Sequence, residues 1–202
     1  MAIYLGNNKV STKSGYVTTG MKDFFNAGGK CAYSTFSNTA DVMKYDDTAN
    51  VTNYDYMFDW CESLTTISIN MKKCTSAQFA FYKCTHLTNL DISQIDNLKD
   101  VYYMFGECEV LKEIPALDFS NARHSYGLFE HCRSLEKIHI TGMKSSFEIS
   151  ASTNFTRESL VEILTNLGTV TSTKTLTMGS TNLAKLTNED KAIATNKGWT
   201  LA

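Results

Sequence analysis

The chain has 202 residues, 43% of them apolar and 20% charged, with a formal net charge of -2. That is one ordinary domain's worth of chain without the basic excess a phosphate backbone demands, so nucleic acid is not an expected partner. One proline, Pro115, and 11 glycines leave no room for a long linker or a low-complexity tract.

The opening Met1-Ala2-Ile3-Tyr4-Leu5-Gly6 lacks the basic start and apolar run of a secretory signal, and Cys31 follows no apolar leader. No later stretch approaches a membrane span. The sequence is therefore read as one that neither directs its own export nor inserts in a membrane. Ile3 to Val10 predicts a hairpin around Gly6-Asn7-Asn8, and Met21 to Asn26 a short helix ended by Gly28-Gly29. Residues 1–30 read as an N-terminal cap, or alternatively as a module that docks onto a larger assembly.

From Met57 to Cys132 one phrase, Phe-x-x-Cys-x-x-Leu-x-x-Ile/Leu, is written four times. It runs Phe58-Cys61-Leu64-Ile67, Phe81-Cys84-Leu87-Leu90, Phe105-Cys108-Leu111-Ile114 and Phe129-Cys132-Leu135-Ile138. The phenylalanines and the cysteines keep one nearly constant step, roughly 23–24 residues, which is the period of a stacked repeat. A unit this short cannot bury its own apolar face and must stack on its neighbours. Ile67-Ser68-Ile69, Leu90-Asp91-Ile92 and Ile138-His139-Ile140 alternate apolar and polar residues, which predicts short strands pairing into a parallel sheet. Counting back from Phe58, a degenerate first coil falls at Phe36, Val42 and Tyr45, with Thr39 in the cysteine slot. The acidic segment Asp46, Asp47, Tyr54, Asp55, Tyr56 lacks the spacing and central glycine of a calcium loop and reads as a solvated turn.

Past Ile140 the rhythm changes. Leu160, Ile163, Leu164 and Leu167 form a helical stripe from Thr156 to Gly168, with Thr156 as N-cap and Glu158 in the first turn. A strand at Leu176-Thr177-Met178 and a helix from Thr187 to Lys197 follow, ending in Trp199-Thr200-Leu201. Leu176 and Trp199 are separated by the same step as Phe58 and Phe81, which predicts that the strand period resumes there.

The chain offers little that resembles a reaction centre. Cys61, Cys84, Cys108 and Cys132 share one slot, where parallel side chains are poorly placed for disulfides, so they read as a column of buried thiols; Cys31 and Cys74 have no evident mates. Neither the cysteines nor His86, His124, His131 and His139 show zinc spacing, and Gly28-Gly29-Lys30 lacks the rest of a phosphate loop. Adjacent His131 and Cys132 point opposite ways, which a nucleophile and its base cannot do. No catalytic residue, metal or cofactor is expected, and the chain is read as a non-enzyme.

What remains is surface. Between each Phe and Cys two residues face outward, giving Trp60 beside Tyr82 as a candidate aromatic binding patch, with Tyr102 and Tyr126 as a second pair. The competing reading is that these rings only pack along the coil edge. The strand face is polar, with Thr65, Thr66, Ser68, Thr88, Asn89 and Asp91 followed by Lys112, Glu113, Glu136 and Lys137.

The whole phrase, with Tyr56-Met57-Phe58-Asp59-Trp60-Cys61-Glu62-Ser63-Leu64 and Ile114-Pro115-Ala116-Leu117-Asp118-Phe119-Ser120-Asn121, resembles the BspA-like class of bacterial leucine-rich repeats. The resemblance spans roughly residues 36–141. It implies a right-handed α/β repeat solenoid of about five irregular coils with a parallel strand sheet, each coil being one repeat long, roughly 23–24 residues. The expected organisation is one domain over 1–202: the cap at 1–30, leucine-rich repeats at 36–141 and helix-strand coils at 142–202. Members of that class are mostly bacterial surface adhesins or phage and prophage tail-associated proteins. The opening Ile3-Tyr4-Leu5-Gly6-Asn7 resembles starts of phage tail proteins, and Ala192 to Trp199 resembles prophage endings. The expected role is non-catalytic recognition or assembly on a phage virion, as a tail-associated receptor-binding or decoration protein assembled in the host cytoplasm. The alternative is an adhesion module at the bacterial cell surface. Expected partners are a protein or cell-surface glycan and other virion proteins, with a homo-oligomer through one cap admitted.

Overall fold

A computed structural model describes residues 3–5, 8–10, 43–44, 52–62 and 64–202, the first three stretches as strand backbone only. The hairpin is present: β1 (Ile3–Leu5) pairs antiparallel with β2 (Asn8–Val10), and Asn8 belongs to the strand opposite Leu5. The helix expected at 21–26 and the rest of the cap lie outside the described residues.

Each copy of the phrase forms one coil with a strand on one side and a run of turns on the other. β3 (Met43–Lys44), β4 (Thr66–Asn70) and β5 (Asn89–Ser93) pair in parallel, with Ile67 opposite Leu90 and Ile69 opposite Ile92. Met43, not Tyr45, stands opposite Ile67. The expected register of the first coil is thus corrected by two residues, a slip that alternation does not distinguish. β6 (Glu113–Asp118) pairs with β7 (Lys137–Thr141), but the expected continuous sheet is broken between β5 and β6. β6 carries Pro115, which has no N–H to give, and a register shift lies between Ile114 and Leu117.

The opposite side carries a second ladder. Tyr56, Phe58 and Trp60 donate their N–H to the carbonyls of Gln78, Ala80 and Tyr82 in the next coil at 2.8–2.9 Å. Phe79, Phe81 and Lys83 do the same to Tyr102, Met104 and Gly106. The intervening Met57, Asp59 and Cys61 close turns on Tyr54, Tyr56 and Phe58. Alternate N–H groups thus go between coils and within the coil, which satisfies the backbone without a conventional strand.

Four phenylalanines make the central column. Phe58, Phe81, Phe105 and Phe129 are buried and stacked with centroids 5.3, 5.6 and 6.0 Å apart and planes within 6°. The repeated cysteines sit beside them as free thiols. Cys84, Cys108 and Cys132 each donate S–H to the carbonyl of the preceding coil's phenylalanine, Phe58, Phe81 and Phe105, at 3.0–3.2 Å. Those carbonyls also accept the N–H of Cys61, Cys84 and Cys108, so the thiol occupies a second lone pair in the core. Burial pushes the Cys132 thiol up to about 12 and the Cys84 and Cys108 thiols well above their ordinary value. They are packing groups and not nucleophiles.

Beyond β7 come β8 (Phe147–Glu148), α1 (Arg157–Asn166), β9 (Lys174–Thr177), α2 (Ser180–Leu183), α3 (Asn188–Thr195) and β10 (Trp199–Leu201). β9 lies between β8 and β10, all parallel. Leu176 faces Leu201 and Lys174 faces Trp199, so the expected step from Leu176 to Trp199 is corrected by two residues. Both predicted helices form, each opened by a capping box, Thr156 with Ser159 and Thr187 with Asp190. Arg157 clamps Asp190 with two bonds of 2.7 Å, tying α1 to α3 and holding the Asp190 carboxyl below its usual range. The column turns here: Phe147 meets Phe129 edge-on at 72°, and Trp199 meets Phe147 at 84°.

Candidate functional site

The turn side places its aromatic residues by backbone conformation. In each of the four Phe-x-x-Cys coils two turns put their third residue in the left-handed region: Tyr56 and Trp60, Phe79 and Lys83, Tyr103 and Glu107, then Gly127 and His131. Turns of this kind ordinarily call for glycine there, and seven of these eight residues are not. The first of each pair lies two residues before the core phenylalanine and points out instead of in. Tyr56, Phe79 and Tyr103 stack as a second, outer column at 5.0 and 5.2 Å with planes within 10°.

Around that column the other rings gather. Tyr102 stacks on Tyr126 at 5.7 Å, and both meet Tyr103 edge-on. Tyr82 stands perpendicular to Phe79 and Tyr103 and donates its hydroxyl to Glu107 at 2.8 Å. Burial and that carboxylate push Tyr82 up to about 12, and Glu130, hydrogen-bonded to Tyr103, raises the Tyr103 phenol. Gly106 makes the crowding possible, because a Cβ there would lie 3.0 Å from both the Tyr82 and Tyr103 rings. The outer column ends where Tyr103 covers Gly127, whose φ is +67°.

The two predicted pairs fare differently. Tyr102 and Tyr126 are brought together as expected, and Tyr126, at 65% exposure, is the most open of the large apolar side chains among the described residues. Trp60 is 38% exposed and lies beside Tyr82, to whose carbonyl its N–H donates at 2.8 Å, but the rings meet through Lys83, whose ammonium is 3.7 Å from the indole and 5.6 Å from the Tyr82 ring. The register explains the difference: one repeat step on from Trp60 comes Lys83, whereas Tyr82 occupies the slot of Asp59. Asp59 has a buried Oδ1 without a hydrogen-bond partner, and desolvation raises its carboxyl to about 6 against the pull of Lys83. Tyr56, Phe79 and Tyr103 were missed as surface residues, although their shared slot ahead of each phenylalanine was visible in the repeat.

Other surfaces are occupied with themselves. On the strand face Ser68 bonds Asp91 at 2.7 Å, Thr88 bonds the Thr65 carbonyl, and Lys112 pairs with Glu136. Asp55, expected in a solvated turn, accepts from Ser76, the Gln78 N–H and Asn53. At the far end of the aromatic strip a half-open groove of about 200 Å³ runs between the fourth coil and the β8–β9 ladder. Tyr126, Gly127 and Glu130 form one wall, and Glu148, Thr175 and Thr177 the other.

Residues 30–159 and 101–196 match the BspA type leucine rich repeat region, in six copies. The chain belongs to the BspA-type leucine-rich-repeat family. Such repeats are in general non-catalytic modules for protein interaction or adhesion. Among the curated proteins and the solved structures nothing matches the chain. Among the described residues of this BspA-type repeat no helix is long and apolar enough to cross a membrane.

Proposed function

We propose that the chain is a non-catalytic recognition module working as one continuous solenoid from cap to helical end, with the aromatic strip of its turn side as the binding surface. Trp60, Tyr82, Tyr102 and Tyr126 are its contact residues, backed by the outer column of Tyr56, Phe79 and Tyr103. The observation that carries this reading is Tyr126, a large ring left 65% open at the end of an ordered stack. Rings held at two χ angles by their neighbours lose little freedom on binding, and amphipathic tyrosines serve both apolar and hydrogen-bonding partners.

The finer reading is a virion protein, tail-associated or decorating, that meets a host-surface protein or glycan. It is supported by the resemblance of Ile3-Tyr4-Leu5-Gly6-Asn7 and Ala192 to Trp199 to phage and prophage sequences. A bacterial cell-surface adhesion module uses the same strip in the same way. A glycan, cell-envelope and virion-protein binding screen with wild type, Trp60→Ala/Tyr82→Ala and Tyr102→Ala/Tyr126→Ala tests the surface. The Tyr102/Tyr126 variant is expected to lose binding by tenfold or more, about 1.4 kcal/mol. Trp60/Tyr82 is expected to lose less, because Tyr82 is committed to Glu107 and Trp60 to Lys83. Full binding by both variants would overturn the strip as the recognition surface.

A further inference from the structure

The groove beyond Tyr126 has a composition of its own. Its volume of about 200 Å³ is below the roughly 300–1,000 Å³ of sites that enclose a drug-sized ligand, and suits a single side chain better than an oligosaccharide. Two carboxylates, Glu130 and Glu148, face it from opposite walls, and none of its lining residues is basic. Glu148 is exposed, and Glu130 is half-buried. Parallel pairing of β8 with β9 sets Glu148 directly beside Thr177, so a carboxylate and a hydroxyl stand together on the outer face while their neighbours Phe147 and Leu176 turn inward. Gly127 adds only backbone to the Glu130 wall, and the absence of a Cβ, which would lie 2.7 Å from the Tyr103 ring, lets Tyr103 close over it. Tyr126 presents an uncovered ring at the mouth.

An aromatic face beside paired carboxylates recognises a cation, and a planar one best. A guanidinium stacks on the ring through its face and donates paired N–H bonds to carboxylates at its edge, whereas an ammonium offers a point charge and no plane. Neutral sugars would leave Glu148, which accepts only from the Ser150 hydroxyl, without a countercharge, and Glu130 with only the His131 ring 3.5 Å away. We propose that this groove receives an arginine side chain from a protein partner, stacked on Tyr126 and held by Glu130 and Glu148. The inference rests on the recognition reading above and names its partner class as a protein segment that carries an exposed arginine.

The test uses the intact chain and a capped Gly-Arg-Gly peptide, with its citrulline and lysine counterparts and a neutral oligosaccharide as comparisons, followed through the Tyr126 ring signals by NMR. The arginine peptide is expected to shift those signals saturably, with lysine several-fold weaker and citrulline at least tenfold weaker. Glu130→Gln and Glu148→Gln are each expected to weaken it about tenfold. The glutamine at 130 still offers an acceptor to Tyr103, so thermal melting of both variants should match wild type. Equal shifts by citrulline and arginine, or no saturable shift by the arginine peptide up to its solubility limit, would overturn the assignment. A sugar that shifts Tyr126 where arginine does not would overturn it too, yet leave the strip as a recognition surface. No shift by either probe, with full binding of the screened partner by both double-alanine variants, would remove the strip as the recognition surface as well.

Discussion

Two aromatic columns run side by side through the coils with the same period, and they hold opposite positions. The inner column, Phe58, Phe81, Phe105 and Phe129, lies at 0–1% exposure. The outer column, Tyr56, Phe79 and Tyr103, rides on left-handed backbone at the rim, with Tyr56 at 37% exposure. The inner rings stabilise by burial, roughly 1.5–3 kcal/mol for each phenylalanine. The outer rings gain about 0.5–1.5 kcal/mol per stacked pair on top of their partial burial, against a conformation that costs about 1–2 kcal/mol for a side chain with a Cβ. Periodicity alone therefore does not mark a core. A repeated ring on left-handed backbone that stays partly open can serve the surface as well as the packing.

The largest test of that contrast truncates one ring of each column in the same coil. Phe105→Ala should lose about 3–5 kcal/mol in urea denaturation, as core cavities do, and Tyr103→Ala only about 1 kcal/mol. Equal losses would make both columns core and remove the distinction. Next in size is the end of the outer column. Gly127→Ala combines a φ of +67° with a Cβ 2.7 Å from the Tyr103 ring, so a loss of about 1–2 kcal/mol is expected, with altered near-ultraviolet tyrosine dichroism as the ring is displaced. An unchanged spectrum would mean that the ring is not seated on Gly127.

The smallest effect concerns Asp59, which follows inner Phe58 and precedes outer Trp60. Its carboxyl is raised to about 6 in the folded chain, above the ordinary value near 4, so the folded state takes up a proton that the unfolded state releases. Stability from this group is therefore greater at low pH and falls as pH rises from about 4 through 6. Asp59→Asn should remove that slope. The ratio of wild-type to variant urea midpoints at pH 4.5 and pH 7 isolates it from groups such as Asp190, whose lowered value gives the opposite sign. A ratio independent of pH would place Asp59 in water.

Much of this was legible in the residues. The coil spacing, the inward Phe, Cys and Leu slots and the strand alternation follow from the chain's repetition, because stacking translates each slot onto its equivalent. The caps Thr156 and Thr187 were legible because capping is local chemistry. Tyr102 and Tyr126 stack because they occupy one slot in successive coils; Trp60 and Tyr82 do not share a slot, so they lie side by side with Lys83 over both rings.

What the sequence determined by itself is the period and the inner column, since a short unit with one apolar face has a single way to bury it. Only the tertiary structure decided the rest. Register at the degenerate ends, where Met43 and Leu201 displace the expected partners, depends on how much slack each loop takes up, and alternation does not distinguish a slip of two. The outer column and the groove beside Tyr126 depend on left-handed turns and on the missing side chains of Gly106 and Gly127, which open space for rings brought from other coils. That space belongs to several coils at once, and no single stretch of the chain encodes it.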